Sequence, residues 1–264
     1  MKSRLLVAAV GIPLILWAIL WAPLLVLELV LALLSAIGAY ELMKCVNAQP
    51  NWRMGTALAA GLTVMFSAIN GQEFASLLLI AYVICFFALA VMKGGEVKWL
   101  ETVTAIFSVV LIPYAFSSFL RLYDAGYHRA FLLLPLIFSF ASDSGAFFAG
   151  LAFGKHKLAP KVSPKKTVEG AIGGLLGNAI GGIVFALVMN TWFDHSISLV
   201  GIAILGLGCS IVAQLGDLSF SLIKREFGIK DYGKLFLAHG GVLDRFDSVL
   251  FVAPVLSALI SWLH

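Results

Sequence analysis

The sequence predicts an all-α, polytopic integral membrane protein with about nine transmembrane helices, and three observations lead there. Of its 264 residues 61% are hydrophobic and only 12% charged, with 20 Phe and 6 Trp. That is more apolar surface than a soluble domain of this length could bury, and the mean hydropathy of +1.01 agrees. Apolar runs close to the roughly 20 residues that a helix needs to cross a bilayer recur along the chain. No segment alternates apolar and polar residues with period two, which disfavours a transmembrane β-barrel.

Nine runs qualify, at about 5–21, 24–40, 54–70, 74–92, 102–120, 130–150, 168–190, 197–216 and 246–263. The first follows Lys2 and Arg4 in the manner of a signal peptide. Its apolar run is long and no small-x-small cleavage pattern follows, so it reads as an uncleaved helix. With the N-terminus in the cytosol, all of the 18 basic residues except Arg121 and Arg129 fall on the inside. This bias supports both the nine spans and the orientation. The net charge of +4 is then a matter of topology and phosphate chemistry, with no nucleic-acid partner implied. The expected organisation is one membrane domain, residues 1–264, with N-terminal spans over 1–125 and catalytic spans with cytosolic loops over 126–264.

Cys45, Cys85 and Cys209 are scattered without metal-ligand spacing and carry no assigned function. Gly173, Gly177 and Gly181 recur every four residues in the seventh run, the small-xxx-small pattern of close helix approach. Packing within one subunit is the preferred reading, and a homodimer seam is the alternative.

Two inside loops are rich in charge. In "FGKHKLAPKVSPKKTVEG", residues 153–170, Ser163 and Pro164 read as the N-cap and first residue of the seventh helix, with Lys165 and Lys166 in its opening turn. Lysines are unfavourable at a positive helix end unless an anion sits there. A phosphate at the helix N-terminus accounts for them, and so does a basic loop against anionic headgroups.

The second loop leaves the eighth run. Asp217, Ser221 and Lys224 share one helical face there, and Asp244 and Asp247 share a face at the start of the ninth helix. Three carboxylates at one membrane depth call for a cation, and oxygen ligands suit a hard ion such as Mg²⁺. The alternative, in which Asp244 and Asp247 serve the helix dipole and pair with Arg225 and Arg245, explains one acid better than three. A fourth acid, Asp143, lies about 10 Å inside the sixth span at 1.5 Å per residue. A carboxylate at that depth marks a function by default. Glu28 is close enough to the end of its span to reach the interface instead.

The run Ser221–Asp247, "SLIKREFGIKDYGKLFLAHGGVLDRFD", resembles the signature of the phosphatidate cytidylyltransferases, or CDP-diacylglycerol synthases. That pattern is Ser-x-apolar-Lys-Arg, four residues, Lys-Asp, then His-Gly-Gly-apolar-x-Asp-Arg-apolar-Asp. The lysine loop and the "DSGA" turn at residues 143–146 are also similar, so the likeness covers at least residues 139–254. Leu237 and Ala238 stand where the family usually has Pro-Gly, which changes the approach to the His239 corner, and Val168 stands where an aromatic residue is common.

The resemblance implies that the phosphate of phosphatidic acid attacks the α-phosphorus of CTP, giving CDP-diacylglycerol and pyrophosphate. It assigns Asp217, Asp244 and Asp247 to Mg²⁺, with Asp143 as a further ligand or a site-organising acid and a monovalent cation as a possible companion. Lys224, Lys165, Lys166, Ser221, Arg225 and Arg245 are expected at the phosphates, His239 at the substrate, and Lys230 and Asp231 closing the loop. The expected location is the inner membrane of a bacterium, with the site facing the cytosol. A secondary transporter would place its acids near the midplane in both halves, and here they lie on one side. The Asp-Gly-x-x-Ala-Arg pattern of CDP-alcohol phosphotransferases is absent.

Overall fold

The computed structural model describes residues 13–69, 71–94, 97–235 and 240–260. Six helices among them are long and apolar enough to cross a membrane, and these are the protein's spanning candidates. In chain order the elements are α1 (Leu24–Cys45), α2 (Pro50–Ile69), α3 (Gly71–Met92), α4 (Trp99–Asp124), a 3₁₀ turn at Arg129–Leu133, α5 (Leu134–Phe153), β1 (Lys157–Ala159), β2 (Ser163–Thr167), α6 (Val168–Trp192), α7 (Leu199–Glu226), α8 (Leu243–Phe246) and α9 (Val249–Leu259).

Three of the nine expected spans are not among the six. Residues 5–12 of the first lie outside the described residues, and 13–20 are helical. The third is a 20-residue helix, α2, in which Asn51, Arg53, Thr56, Thr63 and Ser67 dilute the apolar run. The ninth is divided: α8 ends at Phe246, and α9 is an apolar helix of 11 residues.

The chain forms two compact units. One comprises Met1–Arg129 and Glu226–Phe246, the other Ala130–Arg225 and Asp247–His264. In the first, Leu27, Leu31, Ala39 and Leu42 bury one face of α1, while Leu25, Leu29 and Leu33, four residues apart, lie on its exposed face. An exposed leucine stripe of this kind is what a lipid-facing helix surface requires. The Ser35 hydroxyl donates to the Ala60 carbonyl, 3.3 Å away, tying α1 to α2. Glu28, near the start of α1, is 7% exposed and sits beside Leu27 on the packed side.

In the second unit the glycine stripe performs the packing the sequence suggested. A Cβ at Gly177 would stand 2.6 Å from the Ala141 carbonyl oxygen, and one at Gly181 would stand 3.2 Å from the Ala141 Cβ. At Gly173 it would overlap Ala149. The stripe is therefore occupied by α5 of the same chain, and this backbone-to-backbone approach fixes where Asp143 lies along α6.

The expected start of the seventh helix is corrected. Ser163–Thr167 is a strand paired antiparallel with β1, in the register Lys157 to Thr167 and Ala159 to Ser163. The cap of α6 is Thr167, whose Oγ1 accepts from the Gly170 amide at 3.1 Å. Lys165 and Lys166 thus belong to a strand and not to an opening helical turn. Pro164 is tolerated because a two-stranded hairpin is all edge.

The glycine contact is testable by thermal unfolding in detergent. Gly177→Ala forces a methyl group into the α5 backbone and should cost about 1–3 kcal/mol. Gly208→Ala, with nothing within 4 Å of the new Cβ, should leave the midpoint unchanged or slightly raised. Equal behaviour of the two would dissolve the packing argument.

Candidate active site

The second unit builds its site on three elements. α5 and α6 are held together by glycine, and the hairpin between them is pinned by Glu169 in the first turn of α6. The Glu169 carboxylate accepts from the backbone amides of Lys155 at 3.1 Å and His156 at 3.2 Å, and meets His156 Nδ1 at 2.6 Å. At the other end of the hairpin, Arg225 Nε donates to the Val162 carbonyl at 3.2 Å. Arg225, expected at a phosphate, therefore also anchors the loop that carries the lysines.

So anchored, β2 delivers Lys166 to α7. Its Nζ lies 2.5 Å from Asp217 Oδ2, while Ser221, one turn along the helix, donates to Asp217 Oδ1 at 3.3 Å. The shared face of Asp217 and Ser221 expected from their spacing is present.

Asp247 completes the acidic set from the break between α8 and α9, and so does not share a helical turn with Asp244. Gly216 makes this possible, since a Cβ there would stand 2.8 Å from the Asp247 carbonyl oxygen. The Asp247 side chain is 8% exposed, and its Oδ1 accepts from the Ser248 amide at 2.8 Å. Burial first, and then the negative charge of Asp217, push its carboxyl up to about 7; Asp143 adds to the rise, and the Ser248 amide and Lys224 oppose it. Asp143, Asp217, Asp247 and Lys224 thus belong to one electrostatic neighbourhood.

Asp143, Lys165, Lys166 and Asp217 line a cavity of about 390 Å³ whose remaining wall includes Phe147 and Leu151. Those two side chains are 64% and 75% exposed, as befits residues on a bilayer-facing surface. Below the cavity, Gln214 donates to the Ala171 carbonyl and to Ser210, which in turn bonds Ser142. These hydroxyls and the amide support the residue next to Asp143.

The remaining expected residues lie in the first unit. Asp244 Oδ2 accepts from the amides of Tyr232 at 2.8 Å and Gly241 at 2.9 Å, closing the 232–241 loop on itself. Arg245 is exposed on α8, and Lys230 and Asp231 are exposed on the loop. His239 lies outside the described residues.

The sequence reading missed Glu41. Its Oε1 accepts from the Val242 amide at 3.1 Å and its Oε2 from the Leu243 amide at 3.0 Å, so a buried carboxyl group on α1 anchors the start of α8. A Cβ at Gly233 or Gly241 would overlap that carboxyl group, which is why both positions are glycine. An acid within an apolar helix, the signal that singled out Asp143, was present here too.

Can these carboxylates hold a hard cation? Among the described residues no three His, Cys, Asp or Glu side chains are gathered as a finished metal site. However, Asp247 is buried beside two like charges, and Lys166 already places a positive charge on Asp217. The carboxylate oxygens of Asp217 and Asp247 are of the type that an oxygen-seeking cation takes, and in this arrangement Lys166 holds the place beside Asp217.

Fold and site define a polytopic helical membrane protein whose charged cavity opens among apolar side chains. More specifically, the family model described as "Cytidylyltransferase family" matches residues 2–263, and the chain belongs to that family. A protein of Staphylococcus epidermidis named phosphatidate cytidylyltransferase is 31% identical over 264 residues, spanning 98% of this chain and 99% of its own. Those of the same name from Staphylococcus saprophyticus and Haemophilus influenzae are 33% identical over 197 residues and 46% over 132. The first alignment spans 74% of this chain and 72% of the relative, the second 50% and 46%.

Removing the Glu41 carboxyl group tests its role. Two hydrogen bonds to a charged buried acceptor contribute about 1.5–3 kcal/mol each, so Glu41→Ala should lower the unfolding midpoint by roughly 5 °C or more and expose the Val242 and Leu243 amides to hydrogen exchange. Gly241→Ala should do the same without touching charge. An unchanged midpoint and unchanged exchange would remove Glu41 from the loop's support.

Proposed function

We propose that this chain is a phosphatidate cytidylyltransferase, transferring a cytidylyl group from CTP to phosphatidic acid in phospholipid biosynthesis. Family membership supports the reaction type. The observation that carries the substrate class is the cavity where Lys165, Lys166 and Asp217 meet Phe147 and Leu151, because it offers charge to a phosphate and apolar surface to acyl chains.

In this reading a phosphatidate oxygen forms a bond to the α-phosphorus of CTP as the bond to the bridging oxygen breaks, and pyrophosphate leaves. Two polyanions must be held together, so positioning and charge neutralisation carry most of the catalysis. Lys165 and Lys166 hold the lipid phosphate. Lys224, Arg225 and Arg245 offset the charge of the nucleotide phosphates, Ser221 orients Asp217, His239 meets the substrate, and Lys230 and Asp231 close the loop. Asp217, Asp247 and Asp244 would hold Mg²⁺, with Asp143 beside them; when bound, the ion would stabilise negative charge developing on the phosphoryl oxygens. We further propose that the site faces the cytosol of a bacterium from a nine-span domain in its inner membrane, a reading supported by the distribution of basic residues and by the bacterial relatives.

The deciding assay is purified protein in neutral detergent with phosphatidic acid and radiolabelled CTP, with and without Mg²⁺. Formation of labelled liponucleotide is expected, and none would end the proposal. Asp247→Asn should keep the unfolding midpoint within a few degrees while turnover falls at least roughly 10³-fold, about 4 kcal/mol of transition-state stabilisation.

The acidity of Asp247 sets a pH dependence. Its folded value is raised above that of an ordinary carboxyl group, so the proton is held until about pH 7, and a cation must displace it. Mg²⁺ affinity should therefore fall toward tenfold per pH unit well below 7 and level off above about 8. Affinity that is flat between pH 5 and 8 would take Asp247 out of the ligand set.

A further inference from the structure

The first unit has a cavity of its own, of about 490 Å³, lined by Lys44, Asn47, Arg53, Asp231, Tyr232 and Lys234 among others. That volume is within the range of small-molecule and cofactor pockets. Lys44 and Asn47 end and follow α1, Arg53 opens α2, and the rest belong to the 227–240 loop. Three cations face one carboxylate. Lys44, Asn47 and Lys234 are exposed and Arg53 is half-buried, its Nε held by the Ala48 carbonyl.

We propose that this cavity binds polyphosphate and receives the phosphates of the nucleotide substrate; the identity of that nucleotide rests on the function proposed above. The chemistry required is that of clustered phosphate oxygens, for which guanidinium and ammonium donors are suited. A lipid headgroup and a free nucleotide both carry it. The lining favours the nucleotide: the apolar side chains here, Cys45, Phe227 and Ile229, are buried or half-buried, whereas the cavity of the second unit has the exposed Phe147 and Leu151 that acyl chains would follow.

Asp231 adds a second constraint. A carboxylate repels phosphate, and among the described residues it forms no ion pair with the three cations around it. Its chemistry is that of an acceptor for a ligand N–H, and the exocyclic amino group of cytosine is such a donor, matched by carboxylates elsewhere in base recognition. Asp231 thus serves as the group that separates cytosine from uracil.

The test uses the full chain in neutral detergent. Lys44→Gln/Lys234→Gln should raise the KM for CTP at least tenfold while kcat and the KM for phosphatidic acid stay within about twofold. A rise in the phosphatidic acid KM alone would assign the cavity to a headgroup and overturn the nucleotide reading. No change in either would overturn the site. Asp231→Asn should reduce the preference for CTP over UTP at least tenfold; an unchanged preference would remove its assigned role. Tripolyphosphate binding to the resting protein is read separately by calorimetry, without turnover. Binding that is lost in the double variant supports the site even if no liponucleotide forms, in which case the proposed reaction fails alone. Binding equal in parent and variant overturns the site even if the enzyme is active. Arg53→Lys, which keeps the charge but not the Nε bond to the Ala48 carbonyl, should retain at least half of the tripolyphosphate affinity if charge is what the cavity supplies; a complete loss would overturn that.

Discussion

Everything in the second unit follows from a shortage of positive charge around Asp217, Asp247 and Asp143. Like charges in a poorly hydrated site repel one another strongly, and the structure answers with the Lys166 ammonium on Asp217 and the raised pKa of Asp247. The hairpin exists to deliver that ammonium. Its pinning by Glu169 and Arg225 is worth maintaining because a lysine on a loose loop would lose much of its effect to side-chain entropy.

Much of this was legible in the sequence, for local reasons. Span lengths follow from hydropathy, and the glycine interval on α6 gave its partner face because the four-residue period of a helix is local. Asp217 and Ser221 were placed together for the same reason. The hairpin was not legible. Ser163-Pro164 carries a helix-start signal, and what overrides it is pairing with Lys157–Ala159 and the better cap at Thr167, which a reading of Ser163 alone does not weigh. The division of the ninth run at Asp247 was hidden too, since a one-dimensional apolar run does not show where its helix is interrupted.

Glu41 illustrates a different limit. Its partners Val242 and Leu243 lie 201 and 202 residues away in sequence, and their contribution comes from backbone amides, which leave no trace in side-chain identity. The only traces are indirect: an acid in an apolar helix, and glycines at 233 and 241 that admit it. The spans of the first unit, which composition had reduced to hydrophobic helices, therefore carry the support of the loop that holds Asp244.

A transferase acting on two polyanions faces a cost that a hydrolase acting on one does not. Water is neutral, but a phosphatidate oxygen approaching a triphosphate brings charge against charge. A protein can offset this with a cation shared between the substrates or with cations dedicated to each. In the reading proposed above, the cavity bordered by two lysines and the exposed Phe147 and the cavity bordered by two lysines, an arginine and a polar loop would each supply charge to its own substrate class. Dedicated cations lower the cost of holding each anion separately, and acids are then left to act on the charge that develops only as the bond is made. Binding energy would thereby be kept apart from the stabilisation that speeds the reaction, so in this reading the outlying cations govern KM and the acids turnover.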